Sequence, residues 1–203
     1  MKDDPRSRNE RFDTSSIGAF LQDYARRLGA SLAAVDGAAL DAACRLVQRA
    51  ADGGHRVYSV GNGGSAAIAD HLCCDLIKGT HVEGKPTIDS YSMTSNVALY
   101  SAIANDFGFE QVFETQVELL GRRGDVLLAI SSSGNSPNII RAVDAAKAKG
   151  RVTIGLSGFS GGKLKDRADV SLHVNCNNYG VVEDAHQALM HVIAQYIVRE
   201  REG

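Results

Sequence analysis

An excess of positive charge is missing from this chain of 203 residues: 22 Lys and Arg stand against 24 Asp and Glu, a formal charge of −2 at neutral pH. Without a basic footprint, nucleic-acid binding has no electrostatic support. Long apolar runs are missing too. None reaches the roughly 18 residues that span a bilayer, and no charged n-region followed by an apolar h-region opens the chain, so neither a membrane partner nor a secretory route is expected. The four cysteines, Cys44, Cys73, Cys74 and Cys176, show neither C-x-x-C spacing nor a disulfide framework. Adjacent Cys73 and Cys74 read as small buried hydrophobes in a helix, and a reducing cytoplasm fits this usage. Also lacking are a repeat of fixed solenoid period and a low-complexity linker. What is present, 44% hydrophobic residues, can build one substantial core in one domain.

Residues 1–14 are charged and almost free of apolar periodicity, and read as a mobile tail. Residues 15–203 read as the single folded domain. Ile17, Phe20, Leu21, Tyr24, Leu28 and Leu32 recur at three- and four-residue steps, which makes one apolar helical stripe. Leu40, Ala43, Cys44, Val47 and Ala51 make a second, stopped at Asp52-Gly53-Gly54. These two helices, within residues 15–53, cap the domain or form a bundle between subunits. After them the chain alternates. Strand-like runs near 56–60, 87–92, 125–130, 151–156 and 169–174 are separated by helical patterns at 65–78, 95–105, 110–121, 136–149 and 182–200. Short β-branched runs between helices imply an α/β fold, a mostly parallel sheet covered on both faces. Ligands of such sheets bind beyond the carboxyl ends of the strands, where the topology switches direction.

Two segments lie at such ends. Gly61-Asn62-Gly63-Gly64-Ser65 follows Arg56–Val60, and Ser131-Ser132-Ser133-Gly134-Asn135-Ser136 follows Asp125–Ile130; each opens a helical stretch. Small, hydroxyl-bearing turns at helix N-termini present backbone N–H groups and Ser hydroxyls to an anion, and the helix dipole adds to the attraction. Two of them at strand ends of one sheet point to a phosphorylated small molecule.

The helix after the first turn carries His71 and Asp75, four residues apart on one face. The last helix carries Glu183, Gln187 and His191, spaced i, i+4 and i+8. Two imidazoles and two carboxylates could bind zinc or divide acid and base roles. Glu183 and His191 are about 12 Å apart along an ideal helix axis, so joint metal binding needs both to lean inward. The plainer reading of His71 and Asp75 is a surface ion pair, and of Glu183 and His191 a satisfied polar face. His186 is placed at most behind the site; His55, His81 and His173 carry no signal. Asn105-Asp106, before Phe107-Gly108-Phe109, either caps a helix or reaches a sugar hydroxyl.

With GNGGS, ANDFGF and SSSGNS in place, the chain from about Ser15 onward resembles the sugar isomerase (SIS) domain family. Within it, the chain is similar to the phosphoheptose isomerases, which convert sedoheptulose 7-phosphate to D-glycero-D-manno-heptose 7-phosphate for surface polysaccharides. The resemblance implies a three-layer domain with a five-stranded parallel sheet flanked by helices and preceded by two N-terminal helices. By position, Ser65, Ser131, Ser132, Ser133 and Ser136 would hold the substrate and its phosphate. Asn62, Gly63 and Gly64 would line the sugar, with Asn105 and Asp106 on its hydroxyls. His71 would contact metal or substrate. His71, Asp75, Glu183 and His191 form the implied set for zinc or another divalent cation.

Two positions depart from the family pattern. Asp75 stands where the family has a Glu that acts as base, and its carboxylate is retracted by roughly 1.3–1.5 Å, one bond length. Glu183 stands where the family has Gln. The implied reaction is isomerisation through a cis-enediol, with Glu183 or Asp75 removing the proton and His191 exchanging it between O1 and O2. Gly180, where relatives often have Asp, is a third difference. A homotetramer is implied as well. Two other readings stand beside this one: a non-catalytic SIS protein that binds a protein partner such as a replication initiator, and an isomerase of another sugar phosphate.

Overall fold

The computed structural model describes residues 11–203. Two helices lead, α1 (Ile17–Ala33) and α2 (Gly37–Asp52), each started by a polar N-cap: Ser16 accepts from the Ala19 N–H and Asp36 from the Ala38 N–H. There follow β1 (Val57–Val60), α3 (Gly64–Cys74), β2 (Ser90–Ser92), α4 (Val97–Phe107), α5 (Glu114–Leu120), β3 (Val126–Ser131), α6 (Pro137–Ala148), β4 (Val152–Ser157), α7 (Gly162–Arg167), β5 (Val170–His173) and α8 (Tyr179–Glu202). Ten residues of the stretch read as a tail, 1–10, lie outside the described residues. Beyond them, the Phe12 ring rests 4.8 Å from Phe20 and 5.5 Å from Tyr24.

The five strands are all parallel, in the order β2-β1-β3-β4-β5. From β1 the chain first builds outward to β2, then returns to build β3, β4 and β5 on the other side. The switch point therefore lies between β1 and β3, at their carboxyl ends, where both glycine- and serine-rich turns emerge.

Side-chain alternation divides the strands between two cores. Val57 on β1 and Val126, Leu128 and Ile130 on β3 face α2, α3 and α8. Tyr58, Val60, Leu127 and Ala129 face α4, α5, α6 and α7. Strands buried on both faces read as the continuous apolar runs seen in the sequence. The expected strand at 87–92 shortens to three paired residues at the sheet edge, although Ile88 before it is fully buried. α7, six residues opened by two left-handed glycines, was not expected from the pattern. The helix expected over 65–78 changes character at Asp75, where Asp75–Gly79 form a π turn closed by the Thr80 N–H on the Asp75 carbonyl at 2.9 Å. Such one-turn π segments recur at functional sites.

Candidate active site

Beyond the switch point lies a cleft of about 160 Å³, lined by Asn62 and Ser65 from the β1–α3 turn, Ser131, Ser132, Ser133 and Ser136 from the β3–α6 turn, and Tyr179 and Glu183 from α8. Ser136 occupies the α6 N-cap without making a side-chain cap bond; the Ser131 hydroxyl donates to its oxygen at 3.2 Å. Its hydroxyl therefore stays at the helix mouth for an anion, with Pro137 starting the helix at no hydrogen-bonding cost. The turn is tight because Gly134 has φ 65°, and any side chain there would run into the Gly161 carbonyl.

Asn138, the second residue of α6, holds the two strand-end turns together. It exchanges two side-chain hydrogen bonds with Asn62, both at 2.9 Å, and is itself buried. Sequence reasoning missed it, since a partner 76 positions away leaves no local signal. Asn138→Ala unties the turns and leaves the Asn62 amide short of partners. We expect about a tenfold higher KM for a sugar phosphate at nearly unchanged kcat, measured by steady-state kinetics, since losing the two hydrogen bonds to Asn62 costs about 1–2 kcal/mol together. Tyr179 was missed as well; its ring packs at 4.6 Å on Phe159, which the fold holds at φ 51°.

α3 and α8 run side by side in the same direction. At their start Glu183 faces Gly64, so closely that a Cβ at 64 would lie 2.6 Å from the Glu183 Oε2. Two turns on, His71 and His191 meet with ring centroids 5.1 Å apart. Asp75 lies between them, its Oδ1 3.6 Å from His71 Nε2 and its Oδ2 3.6 Å from His191 Nε2. One ligand atom from each of these three residues falls within 4.8 Å of the others. The donor set, two imidazoles and a carboxylate, suits zinc.

Of the four residues expected to share a metal, the structure thus brings together three, and Glu183 is not among them. The helix rise explains this, since two turns of α8 separate Glu183 from His191. Burial first, and the neighbouring Asp184 charge second, push the Glu183 carboxyl above its usual value of 4.5. Gly180 also has an account: a Cβ there would lie 3.1 Å from the Tyr24 hydroxyl, which donates to Asp184 at 2.6 Å. Asn105 and Asp106 are not brought to the cleft of the same chain. They are exposed at the end of α4 and bonded to each other at 2.9 Å.

Comparison with known proteins agrees with this geometry. The SIS domain model matches residues 20–158. A phosphoheptose isomerase of Bradyrhizobium sp. is 38% identical over 91% of this chain and 95% of its own length. The one of Vibrio vulnificus is 39% identical over 81% and 86%. Among solved structures, the phosphoheptose isomerase from Francisella tularensis superposes with a TM-score of 0.83 at 30% identity, over 90% of this chain and 96% of its own. The one from Neisseria gonorrhoeae gives 0.81 at 31%, over 89% and 96%. Two serine- and glycine-rich turns lining one cleft at the β1/β3 switch point, a carboxylate opposite them and relatives of this kind across nearly the whole length lead to one conclusion: the chain belongs to the SIS domain family, on its phosphoheptose isomerase branch.

Proposed function

We propose that the protein converts sedoheptulose 7-phosphate to D-glycero-D-manno-heptose 7-phosphate through a cis-enediol. The observation that carries this reading is the cleft itself, in which both strand-end turns face Glu183 across Gly64. The phosphate sits among Ser131, Ser132, Ser133 and Ser136 at the α6 N-terminus, with Ser65 on its other side. From there the sugar extends along the groove between α3 and α8. C1 and C2 must then lie between Glu183 and His191, about 12 Å apart along α8, with both side chains leaning inward.

Glu183 takes the proton from C1 of the ketose and returns it to C2, and its raised pKa brings it closer to the working range of a base. While its Nε2 holds no ion, exchange of the hydroxyl proton between O1 and O2 falls to His191. His71, Asp75 and His191 would hold a divalent cation, zinc by donor set, whose charge would stabilise the enediolate oxygens. Acid–base groups concentrated along one groove favour an isomerase over a non-catalytic binding protein, and the relatives do not favour another sugar phosphate.

The test is NMR of sedoheptulose 7-phosphate incubated with the protein in D2O, with and without zinc. We expect the manno-heptose 7-phosphate to form, with deuterium at C2 to the extent that the proton held by Glu183 exchanges with solvent. A rate that rises with zinc assigns His191 to the ion; one that falls assigns it to the proton. A folded protein that leaves this sugar unchanged under both conditions overturns the reading. Assembly is part of the proposal. Ile17 and Leu21 on α1 are 86% and 60% exposed, an apolar face for further copies of the chain. A homotetramer is expected by light scattering. Among the described residues no helix is long and apolar enough to cross a membrane, in keeping with a cytoplasmic enzyme.

A further inference from the structure

One side chain stands between the two imidazoles of the His71–Asp75–His191 group. The side-chain nitrogen of Gln187 lies 2.9 Å from His71 Nδ1 and 3.2 Å from His191 Nε2. Gln187 and His191 are four apart on α8 and so share a face, which fixes the carboxamide beside both rings. The two ends of a carboxamide have nearly the same shape but opposite hydrogen-bonding character. Which end faces the rings decides what the rings can do.

With the NH2 end inward, the amide donates to His71 Nδ1. The ring proton then sits on Nε2, the nitrogen 3.6 Å from Asp75. A protonated Nε2 suits the hydrogen-bonded, ion-free cluster and cannot ligate a cation. With the oxygen inward, the amide accepts from His71 Nδ1–H, and Nε2 keeps its lone pair, aimed at Asp75. The oxygen then also faces His191 Nε2, lone pair against lone pair, a repulsion relieved once a cation takes the nitrogen's pair. Ligand atoms around zinc at about 2.0–2.1 Å stand about 3.3–3.5 Å apart. The two 3.6 Å separations involve different Asp75 oxygens, and one ligand atom from each residue falls within 4.8 Å of the others, so the three must draw inward by about 1 Å to share an ion.

We propose that Gln187 is a positioning residue of the divalent-cation centre: its carboxamide oxygen accepts from His71 Nδ1–H, and so offers His71 Nε2 to the ion together with Asp75 and His191. The proposal rests on the cation-holding role given to those three residues above. It also accounts for a centre that forms without Glu183. A metal-binding histidine usually donates its other ring N–H to an acceptor, and loss of that acceptor typically weakens binding about 10–100-fold.

The experiment uses chelator-stripped full-length protein and reads ion binding without substrate. Co2+ is titrated by its visible absorption, Zn2+ affinity is measured against a chromophoric chelator, and the imidazole nitrogens are assigned by long-range 1H–15N NMR. We expect one ion per chain in the unmodified protein, with His71 in the Nδ1–H form when loaded. Gln187→Leu and Gln187→Met, which lack an acceptor oxygen, should bind Zn2+ about 10–100-fold more weakly. They should also lose the single His71 tautomer. Gln187→Glu, which only accepts, should restore both. Gln187 is half-exposed, so these variants are expected to fold, with circular dichroism as the check.

Affinity in the leucine and methionine variants within about twofold of the unmodified protein overturns the proposal, as does an unmodified protein that binds neither ion. Turnover of sedoheptulose 7-phosphate is assayed separately. Ion binding that responds to Gln187 in a protein without turnover supports this role and overturns only the isomerase reading. Turnover with ion binding indifferent to Gln187 does the reverse.

Discussion

Replacing Glu183 by glutamine is expected to lower kcat by about 1,000-fold and to leave the Kd of the sugar phosphate nearly unchanged, the pattern of a lost general base. Glutamine keeps the shape of the side chain, its place in the cleft and its approach to Gly64, and removes only the titratable group. Glu183 has two features a base needs. It faces the cleft, and its carboxyl is pushed above 4.5 by burial and by Asp184. The pH profile carries a second signature. Glu183 works only when deprotonated, so the rate should rise with pH along an acidic limb displaced above the ordinary carboxylate value, and in the glutamine variant that limb should vanish. Asp75→Asn should behave differently, losing ion affinity first, because Asp75 lies between two imidazoles. Isothermal titration with the sugar phosphate and steady-state kinetics separate the two effects. Unchanged kcat in Glu183→Gln with loss of turnover in Asp75→Asn would return the base role to Asp75.

The difference between these two carboxylates shows what a sequence can and cannot reveal here. The anion-binding turns are legible because their physics is local: small residues, hydroxyls and a helix start within a few positions. The sheet is legible for a related reason, since strands covered on both faces leave continuous apolar runs such as Val126–Ile130. Membership of the metal group is another matter. His71 and Asp75 meet through i, i+4 spacing, but which residue of α8 meets them depends on how far two helices slide along each other. Only the packing decides that His191 and Gln187 arrive and Glu183 does not. Asn138 is illegible for the same reason, because its value lies in a reciprocal bond to Asn62 across two loops. Asn105 and Asp106 pose a different case within one chain. Their motif is clear, yet α4 buries its other face through Ile103 and leaves both in solvent.

The departures from the family pattern then form one rearrangement. A shortened acid at 75 is drawn between the imidazoles, and an acid at 183 takes the place facing the cleft. An amide remains on the same face of α8, one turn further along, at Gln187. Each change alone would weaken a shared set of two histidines, an acid and an amide. On the proposed reading, together they separate a group able to hold a cation from the base along a single groove.

Lowering the pH from 7 to 4 is expected to cost the chelator-treated protein about 3 kcal/mol of folding stability through one residue, His186, whose pKa is lowered from 6.5 to about 4. His186 lies on α8 with no exposed surface, and neither ring nitrogen makes a well-formed hydrogen bond, its nearest approach being to the Ser157 backbone. Burial dominates the shift; proximity to the Ser157 backbone offsets a little of it, and His173 adds to it. In the unfolded chain the ring protonates near 6.5, while in the fold it stays neutral down to about 4. Between those values the unfolded state binds more protons, so stability is complete above 6.5 and drains away as the pH falls toward 4.

His186→Leu fills nearly the same volume and has nothing to protonate. Urea denaturation at pH 7 and pH 4 should show about 3 kcal/mol less acid loss in the leucine variant than in the unmodified protein. At pH 7 the variant should be nearly as stable, since two poorly satisfied nitrogens leave the core with the ring. Parallel losses in both proteins would place the acid-sensitive proton elsewhere. The leucine variant also tests a neighbouring point, because α8 carries His186 between Glu183 and His191. If its turnover at neutral pH is unchanged, the buried ring acts through stability alone, and the groove residues account for the chemistry without it.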